Sequence, residues 1–318
     1  MSLEFAFVMD PPAHIKPWKD TTFAMLLAAS ARGHRCHYIA PQSLRAAGQN
    51  VLASCQAIEV SDRREDFHQL GELEHRSLAS FDFVLMRQDP PFDMNYVFAT
   101  YLLEMAETEG ARVVNRPRAL RDFNEKLAIL RFPQCCTDTL VSGERASLRA
   151  FVEQHGECVL KPLDGMAGNS IFRARAGEDH LKVIIDTLSA NGQRPIMAQR
   201  FIDRITEGDK RVLMVDGEPV PYTLARIPGK GDFRGNLAQG GRGEGRQLTE
   251  RERWIASQVG PTLREAGIRF AGLDVIGDYL TEVNVTSPTC VRELDAEYGL
   301  DIAGDFIERL ISHPEGCS

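Results

Sequence analysis

Short apolar runs alternate with amphipathic stretches through the first third of the chain. Phe5–Met9 is an apolar run of strand length, and Thr21–Arg32 has helical spacing that ends at Gly33. His34–Ala40 and Phe81–Met86 are again strand-like, with a polar stretch of little periodicity between them. Met94–Glu109 has helical spacing, Gly110 stops it, and Ala111–Val114 follows as a strand. Strands alternating with helices predict βαβ units and a parallel sheet. Ligands of such sheets sit beyond the carboxyl ends of the strands. That rule singles out the segments Met9–Pro12 and Arg87–Pro91.

From about residue 120 the texture changes. Val159–Pro162 reads as a strand, followed by the glycine-containing segment Asp164–Ser170 and a further strand from Ile171 to Arg173. A helix over Asp179–Ala190 and the strand Ile196–Ile202 complete a small α+β unit. Two hairpins follow, Lys210–Arg226 around Asp216-Gly217 and Phe270–Val285 around Gly277-Asp278. Both dipeptides are turn signals between apolar strands. There is no internal repeat and no low-complexity segment.

With 318 residues, 43% hydrophobic and 26% charged, the composition is that of a globular protein of two or three domains. The net charge of −8 argues against nucleic acid or an anionic membrane as main partner. No apolar run reaches the roughly 18 residues needed to span a bilayer. The first ten residues carry an acid and no basic region, so no signal peptide is expected. The seven cysteines are odd in number and lack CxxC spacing, so neither a disulfide framework nor a zinc site fits them; a reducing cytoplasm is expected.

Three stretches carry candidate chemistry. Asp164–Ser170 follows the strand that bears Lys161, and exposed amides beside a lysine can fold over phosphates, although a surface turn accounts for it equally. It is not a P-loop, and no glycine fingerprint follows the first strand, so a Rossmann-type oxidoreductase is excluded. Arg226–Glu244 is dense in glycine and arginine, which suits a loop that closes over an anion, with a disordered linker as the alternative. The third runs from Leu273 to Thr289. Glu282 and Asn284 lie two apart on a strand and share a face, and with Asp274 on the facing strand they could hold Mg²⁺ against substrate phosphates. The alternative is a solvated hairpin face.

Register tests the last idea. A plain two-residue turn at Gly277-Asp278 would pair Asp274 with Thr281 and turn it away from Glu282; sharing a metal requires a three-residue loop or a bulge. In the first hairpin a two-residue turn would pair Arg211 with Tyr222, putting Arg211 and Arg226 on one face. Paired arginines without nearby acids would call for an anion between them.

The chain resembles the bacterial glutathione synthetases of the ATP-grasp superfamily. The likeness runs through Met9–Pro11, Lys19–Met25, Met86–Asp93, Asn124–Lys126, Leu160–Met166, Gly208–Arg211, Arg234–Ala238, Gly240–Gly243 and Thr281–Thr289, in order. It implies an α/β protein, with an N-terminal parallel βα domain over 1–122 and a two-lobed ATP-grasp α+β fold. The small, nucleotide-binding lobe would span 123–202, and the large lobe with the metal and substrate site 203–318. The implied reaction joins γ-glutamylcysteine to glycine at the expense of ATP, through an acyl phosphate.

By the same resemblance, Lys126 and Lys161 would touch ATP phosphates, with Gly165 and Gly168 in the phosphate loop. Gln199, Phe201 and Ile202 would line the adenine pocket, and Asp209 would take the ribose. Mg²⁺, with Mn²⁺ as a substitute, would sit on Asp274, Glu282 and Asn284. Arg211 and Arg226 would stabilise the transferring phosphoryl group, and the 227–243 loop would close over the intermediate. Arg87, Asn284, Ser287 and Thr289 would bind the dipeptide or product. A homo-oligomer, a tetramer, is implied. Ala167 stands where the family usually has a second glycine, which could restrict the phosphate loop. Two alternatives stay open: a related ligase using another amine such as β-alanine, and a nucleotide-binding relative without catalysis. The eight histidines carry no motif.

Overall fold

The structure, a computed structural model, describes residues 2–48, 50–165, 170–229, 235 and 241–314. The first sheet contains β1 (Glu4–Val8), β2 (Arg35–Ile39), β3 (Arg45–Ala47), β4 (Asn50–Val60), β5 (His68–Ser77), β6 (Phe83–Met86) and β7 (Val113–Val114). Its order is β3-β4-β2-β1-β6-β7, with β5 paired to β4. Around β1 the pairing is parallel, as the βαβ pattern predicts, and α1 (Thr21–Ala31) and α2 (Met94–Thr108) fall where helical spacing places them. Their first turns are capped by Asp20 and Asp93, whose side chains accept from backbone amides.

The sheet is nonetheless mixed, because β3, β4 and β5 add antiparallel pairs. These strands occupy the stretch whose periodicity looked weak. The inward positions of β4 include Val51, Ala53 and Cys55, small side chains that bury completely but score poorly in a hydrophobic pattern. Nearly all of β5 is exposed, so no apolar alternation could mark it.

The second sheet is antiparallel, in the order β10-β9-β11-β8, from β8 (Thr139–Ser142), β9 (Glu157–Pro162), β10 (Phe172–Arg175) and β11 (Ile196–Arg200). After α3 (Pro117–Asp122) the chain enters this unit, where α4 (Arg145–His155) and α5 (Leu181–Leu188) cover the sheet with a separate core around Leu148, Leu160 and Ile185. The pattern pointed to α5 but not to α4, which buries only Leu148 and Val152.

The third sheet is antiparallel, ordered β14-β13-β12-β15-β16, from β12 (Asp209–Val215), β13 (Glu218–Ile227), β14 (Arg242–Gln247), β15 (Phe270–Ile276) and β16 (Tyr279–Asn284). Around it lie α6 (Glu250–Glu265), α7 (Val291–Tyr298) and α8 (Ile302–Ser312), none of them signalled by the pattern. A capping box fixes the start of α6: Glu252 N donates to Thr249 Oγ1 at 3.2 Å, and Thr249 N donates to Glu252 Oε2 at 2.8 Å. The other Glu252 oxygen accepts from Lys210 Nζ at 2.5 Å, tying the helix to β12.

The first and third sheets share continuous apolar cores. Asn115 also joins them through polar contacts. Its amide nitrogen donates to Phe270 O at 2.8 Å and Val285 O at 2.7 Å, while its oxygen accepts from Arg269 N at 2.8 Å and Phe270 N at 3.0 Å. Among the described residues no helix is long and apolar enough to cross a membrane. The described cysteines, Cys135 and Cys136 among them, are unpaired.

Candidate active site

A cleft of about 310 Å³ opens between the second and third sheets, with Asp89 and Pro90 of the first domain at one end. The strand registers explain its chemistry. Arg211 on β12 lies opposite Asp274 on β15, and Asp274 lies opposite Glu282 on β16, so three adjacent strands present these side chains on one face. The second pairing depends on a bulge. Gly277 and Asp278 form a two-residue turn, Val275 pairs with Leu280, and the register then shifts so that Asp274 meets Glu282 rather than Thr281. Thr281, the extra residue, donates its hydroxyl to Asp274 O at 3.1 Å.

The first hairpin departs from the expected register. Val215 pairs with Glu218, but an irregularity between Val212 and Met214 places Leu224, not Tyr222, opposite Arg211. The shift is by an even number of residues, so Arg211 and Arg226 still share a face. The arginines are also not without acids. Arg211 grips Asp274 with two hydrogen bonds, at 2.5 and 3.1 Å, and Arg226 pairs with Asp274 at 2.8 Å and with Asp209 at 2.5 Å. An internal carboxylate therefore stands between them, and an external anion is not needed to hold the pair together.

Lysines converge on the other carboxylate. Lys126, 2% exposed, and Lys161, 4% exposed, each bring Nζ to 3.6 Å from Glu282 Oε1. Lys126 also pairs with Glu125 and donates to Gly165 O at 2.6 Å, and Lys161 donates to Thr281 O at 3.4 Å. Burial works to raise the Asp274 pKa, but Arg211 and Arg226 outweigh it and hold the carboxyl well below the usual range. Glu282 is likewise lowered, against its burial, by Lys126 and Lys161. Asp209 goes the other way: burial pushes it up to about 7 despite Arg226, with Asp274 and Glu282 adding repulsion. Among the described residues its buried Oδ1 has no hydrogen-bond partner.

The opposite end of the cleft is apolar. Val159, Ile171, Phe201, Ile202 and Ile276 form a slot suited to a flat ring. Arg173 lies 3.9 Å from the Phe201 ring centroid, and Gln199 donates to Thr139 Oγ1 at 3.1 Å. Ser287 and Thr289 line the same cleft, as does Asn284, whose amide donates to Gly272 O at 3.4 Å. Arg87 lies just behind, donating to Thr286 O at 3.3 Å and Pro288 O at 3.4 Å. Of the phosphate-loop candidates Gly165 lines the cleft, while Gly168 and Ala167 lie outside the described residues. So does most of the 227–243 loop; Gly235, which is described, lines the cleft.

Glu125 is a cleft residue that the sequence reading does not single out. Its carboxyl is pushed up by burial and by Glu282, and its carbonyl accepts from Val283 N at 2.8 Å, so it braces β16 beside Glu282. Its place between Asn124 and Lys126 in a motif block was the available signal.

Family models settle the kinship. Residues 3–121 match the prokaryotic glutathione synthetase N-terminal domain, and residues 125–299 match the prokaryotic glutathione synthetase ATP-grasp domain. The chain belongs to the prokaryotic glutathione synthetases. It is 58% identical over 304 residues to the glutathione synthetase of Xanthomonas axonopodis pv. citri, covering 96% of each chain. It is 53% identical over 307 residues to that of Coxiella burnetii, again covering 96% of each. Among solved structures, D-cycloserine synthetase DcsG shares the fold with a TM-score of 0.68 at 15% identity, over 97% of this chain and 99% of that one. The ATP-grasp ligase PsnB, complexed with minimal precursor, Mg and ADP, gives a TM-score of 0.62 at 16% identity, over 98% of each. An ATP-grasp enzyme uses ATP with a divalent metal ion, and the two ends of the cleft suit those needs: an apolar slot for a base and a charged end for phosphates.

The donor set bears on that metal. Among the described residues no group of three or more His, Cys, Asp or Glu side chains is arranged to hold an ion by itself. Asp274 and Glu282 face each other, and Asn284 shares the Glu282 face of β16. Two carboxylates and an amide oxygen suit a hard ion that takes its remaining ligands from phosphate and water.

Proposed function

We propose that the protein is an ATP-dependent glutathione synthetase that phosphorylates the cysteinyl carboxylate of γ-glutamylcysteine and joins it to glycine, releasing ADP and phosphate. The observation that carries this reading is the charged face formed by Arg211, Asp274 and Glu282 on adjacent strands, in the cleft of a chain that belongs to this family. The cysteinyl carboxylate oxygen bonds to the γ-phosphorus as the bond to ADP breaks. The glycine nitrogen then bonds to the acyl carbon, and phosphate leaves with that oxygen. Both steps need charge stabilisation and positioning more than a protein nucleophile.

Lys126 and Lys161 would neutralise phosphate oxygens, and Arg211 and Arg226 would stabilise the moving phosphoryl group. Asp274, Glu282 and Asn284 would hold Mg²⁺, with Mn²⁺ as a substitute, which would offset phosphate charge. Gln199, Phe201 and Ile202 would enclose adenine, and Asp209, whose Oδ1 has no partner among the described residues, would accept from a ribose hydroxyl. Arg87, Asn284, Ser287 and Thr289 would take the dipeptide. The three sheets support an N-terminal domain over 1–122 with lobes over 123–202 and 203–318. A homo-oligomer in the cytoplasm is part of the same reading.

The test is ADP release with γ-glutamylcysteine and a panel of amines. Glycine should give the highest kcat/KM. Equal or faster turnover with β-alanine or serine would replace the substrate assignment, and no ADP release with any amine would overturn the enzyme assignment.

A further inference from the structure

The turn Asn124–Lys126 is tied to both walls of the cleft. Glu125 O accepts from Val283 N at 2.8 Å, which fastens the turn to β16, the strand that carries Glu282 and Asn284. Asn124 fastens it to the other wall. Its Nδ2 donates to Leu163 O at 3.0 Å, just past the end of β9, and its Oδ1 accepts from Lys126 N at 3.1 Å and Leu127 N at 3.0 Å. These partners fix the orientation of the amide. Flipped, it would set its NH₂ against two N–H groups and its oxygen against a carbonyl. Asn124 is half-buried and is not among the described residues that line the cleft, so it stands behind the site rather than in it.

What it holds is the setting of one ammonium. Lys126 Nζ donates to Gly165 O at 2.6 Å and lies 3.6 Å from Glu282 Oε1. The stem that carries it is flexible, so the place of the ammonium depends on two stretches of backbone, its own and that of Gly165. Asn124 steadies both. Its Oδ1 holds the Lys126 amide, and its Nδ2 holds the carbonyl two residues before Gly165. A cation held in place beforehand gives up less conformational freedom when an anion arrives.

We infer that Asn124 is a positioning residue for nucleotide binding: by clasping the chain at Leu163 it sets Lys126 and the Gly165 carbonyl against each other, so that the ammonium stands ready for a phosphate oxygen. This rests on the reading of Lys126 as a phosphate-binding group. It gives a residue outside the cleft a share in nucleotide affinity.

The experiment measures equilibrium binding of ADP with Mg²⁺ to the full-length protein, to Asn124→Ser, Asn124→Asp and Lys126→Met, and to the double variant Asn124→Ser with Lys126→Met. The serine and aspartate replacements both keep an oxygen that can cap the turn. Both lose the donor to Leu163 O, one without and one with an added charge. Each should weaken ADP by about 2- to 10-fold, the net scale of one hydrogen bond, and raise KM for ATP by a similar factor. The kcat at saturating ATP and the KM for γ-glutamylcysteine should stay near wild type. In the Lys126→Met background Asn124→Ser should weaken ADP no further, because two residues that act as a unit are not additive. Wild-type ADP affinity in Asn124→Ser, or a loss that adds in full to that of Lys126→Met, overturns the assignment. Wild-type ADP affinity in Lys126→Met overturns the reading of Lys126 itself, and the assignment falls with it.

Discussion

Asp274 serves two pairs of demands at once. It is the carboxylate that satisfies Arg211 and Arg226, and it faces Glu282 across the hairpin where an ion would sit. Replacing it by Asn keeps the shape and removes the charge, leaving Arg211 buried with no carboxylate among the ion pairs described here. Breaking such a pair costs on the order of 3–5 kcal/mol. Asp274→Asn should therefore unfold at clearly lower urea concentration than wild type, and an unchanged midpoint would show that the clamp contributes nothing to stability. Glu282→Gln should keep its fold and lose about 10²- to 10³-fold in kcat; near-wild-type turnover at saturating metal would remove Glu282 from the charged machinery. His37 offers a test by pH. It is 7% exposed, neither ring nitrogen has a hydrogen-bond partner among the described residues, and burial lowers its pKa, with Arg76 adding to the effect. The folded protein thus binds its proton less readily than the unfolded chain. The stability tied to a neutral His37 is present above the unfolded pKa of about 6.5 and is lost as pH falls through the folded value. The wild-type urea midpoint should drop between pH 7 and pH 5 by more than that of His37→Leu; parallel curves would contradict this.

Strand registers build the site, and they divide what could be foreseen from what could not. Glu282 and Asn284 were legible as one face because alternation within a strand is a property of sequence. That Asp274 joins them depends on where a bulge falls, and nothing in the Thr281 side chain announces it; sequence could only state that a bulge or longer loop was needed. The same limit applies to Arg211, whose partner is Leu224 because the first hairpin slips by an even step. The acids that hold the arginines were in plain view in the sequence, but cross-strand neighbours are set by pairing. Helices show the opposite failure. α6 carries Pro261 in its interior, and α4 buries few residues, so neither has the pattern of a helix read in isolation. At element scale the sharpest test is Asn115→Ala, which strips hydrogen bonds from four buried backbone groups between the first and third sheets. Each such loss costs about 1–3 kcal/mol. The variant should lose several degrees or more in Tm, and a change within about 1 °C would mean that water replaces the amide.

Across the whole molecule, the three sheets meet around one cleft with an apolar slot at one end and balanced charges at the other. The second sheet and its flanking turns supply Lys161 and most of the slot, the third sheet supplies Ile276, Arg211, Arg226, Asp274 and Glu282, and Asp89 and Pro90 follow the end of β6 in the first. This division of labour suits a reaction in which a nucleotide, a dipeptide and an amine are brought together without a protein nucleophile. Its central claim is that the dipeptide carboxylate itself receives the phosphoryl group. The direct measurement uses γ-glutamylcysteine labelled with ¹⁸O in the cysteinyl carboxylate, turned over with ATP and glycine, with mass analysis of the inorganic phosphate. One labelled oxygen should appear in phosphate for each glutathione formed. Label in AMP, or unlabelled phosphate during verified glutathione synthesis, would contradict it.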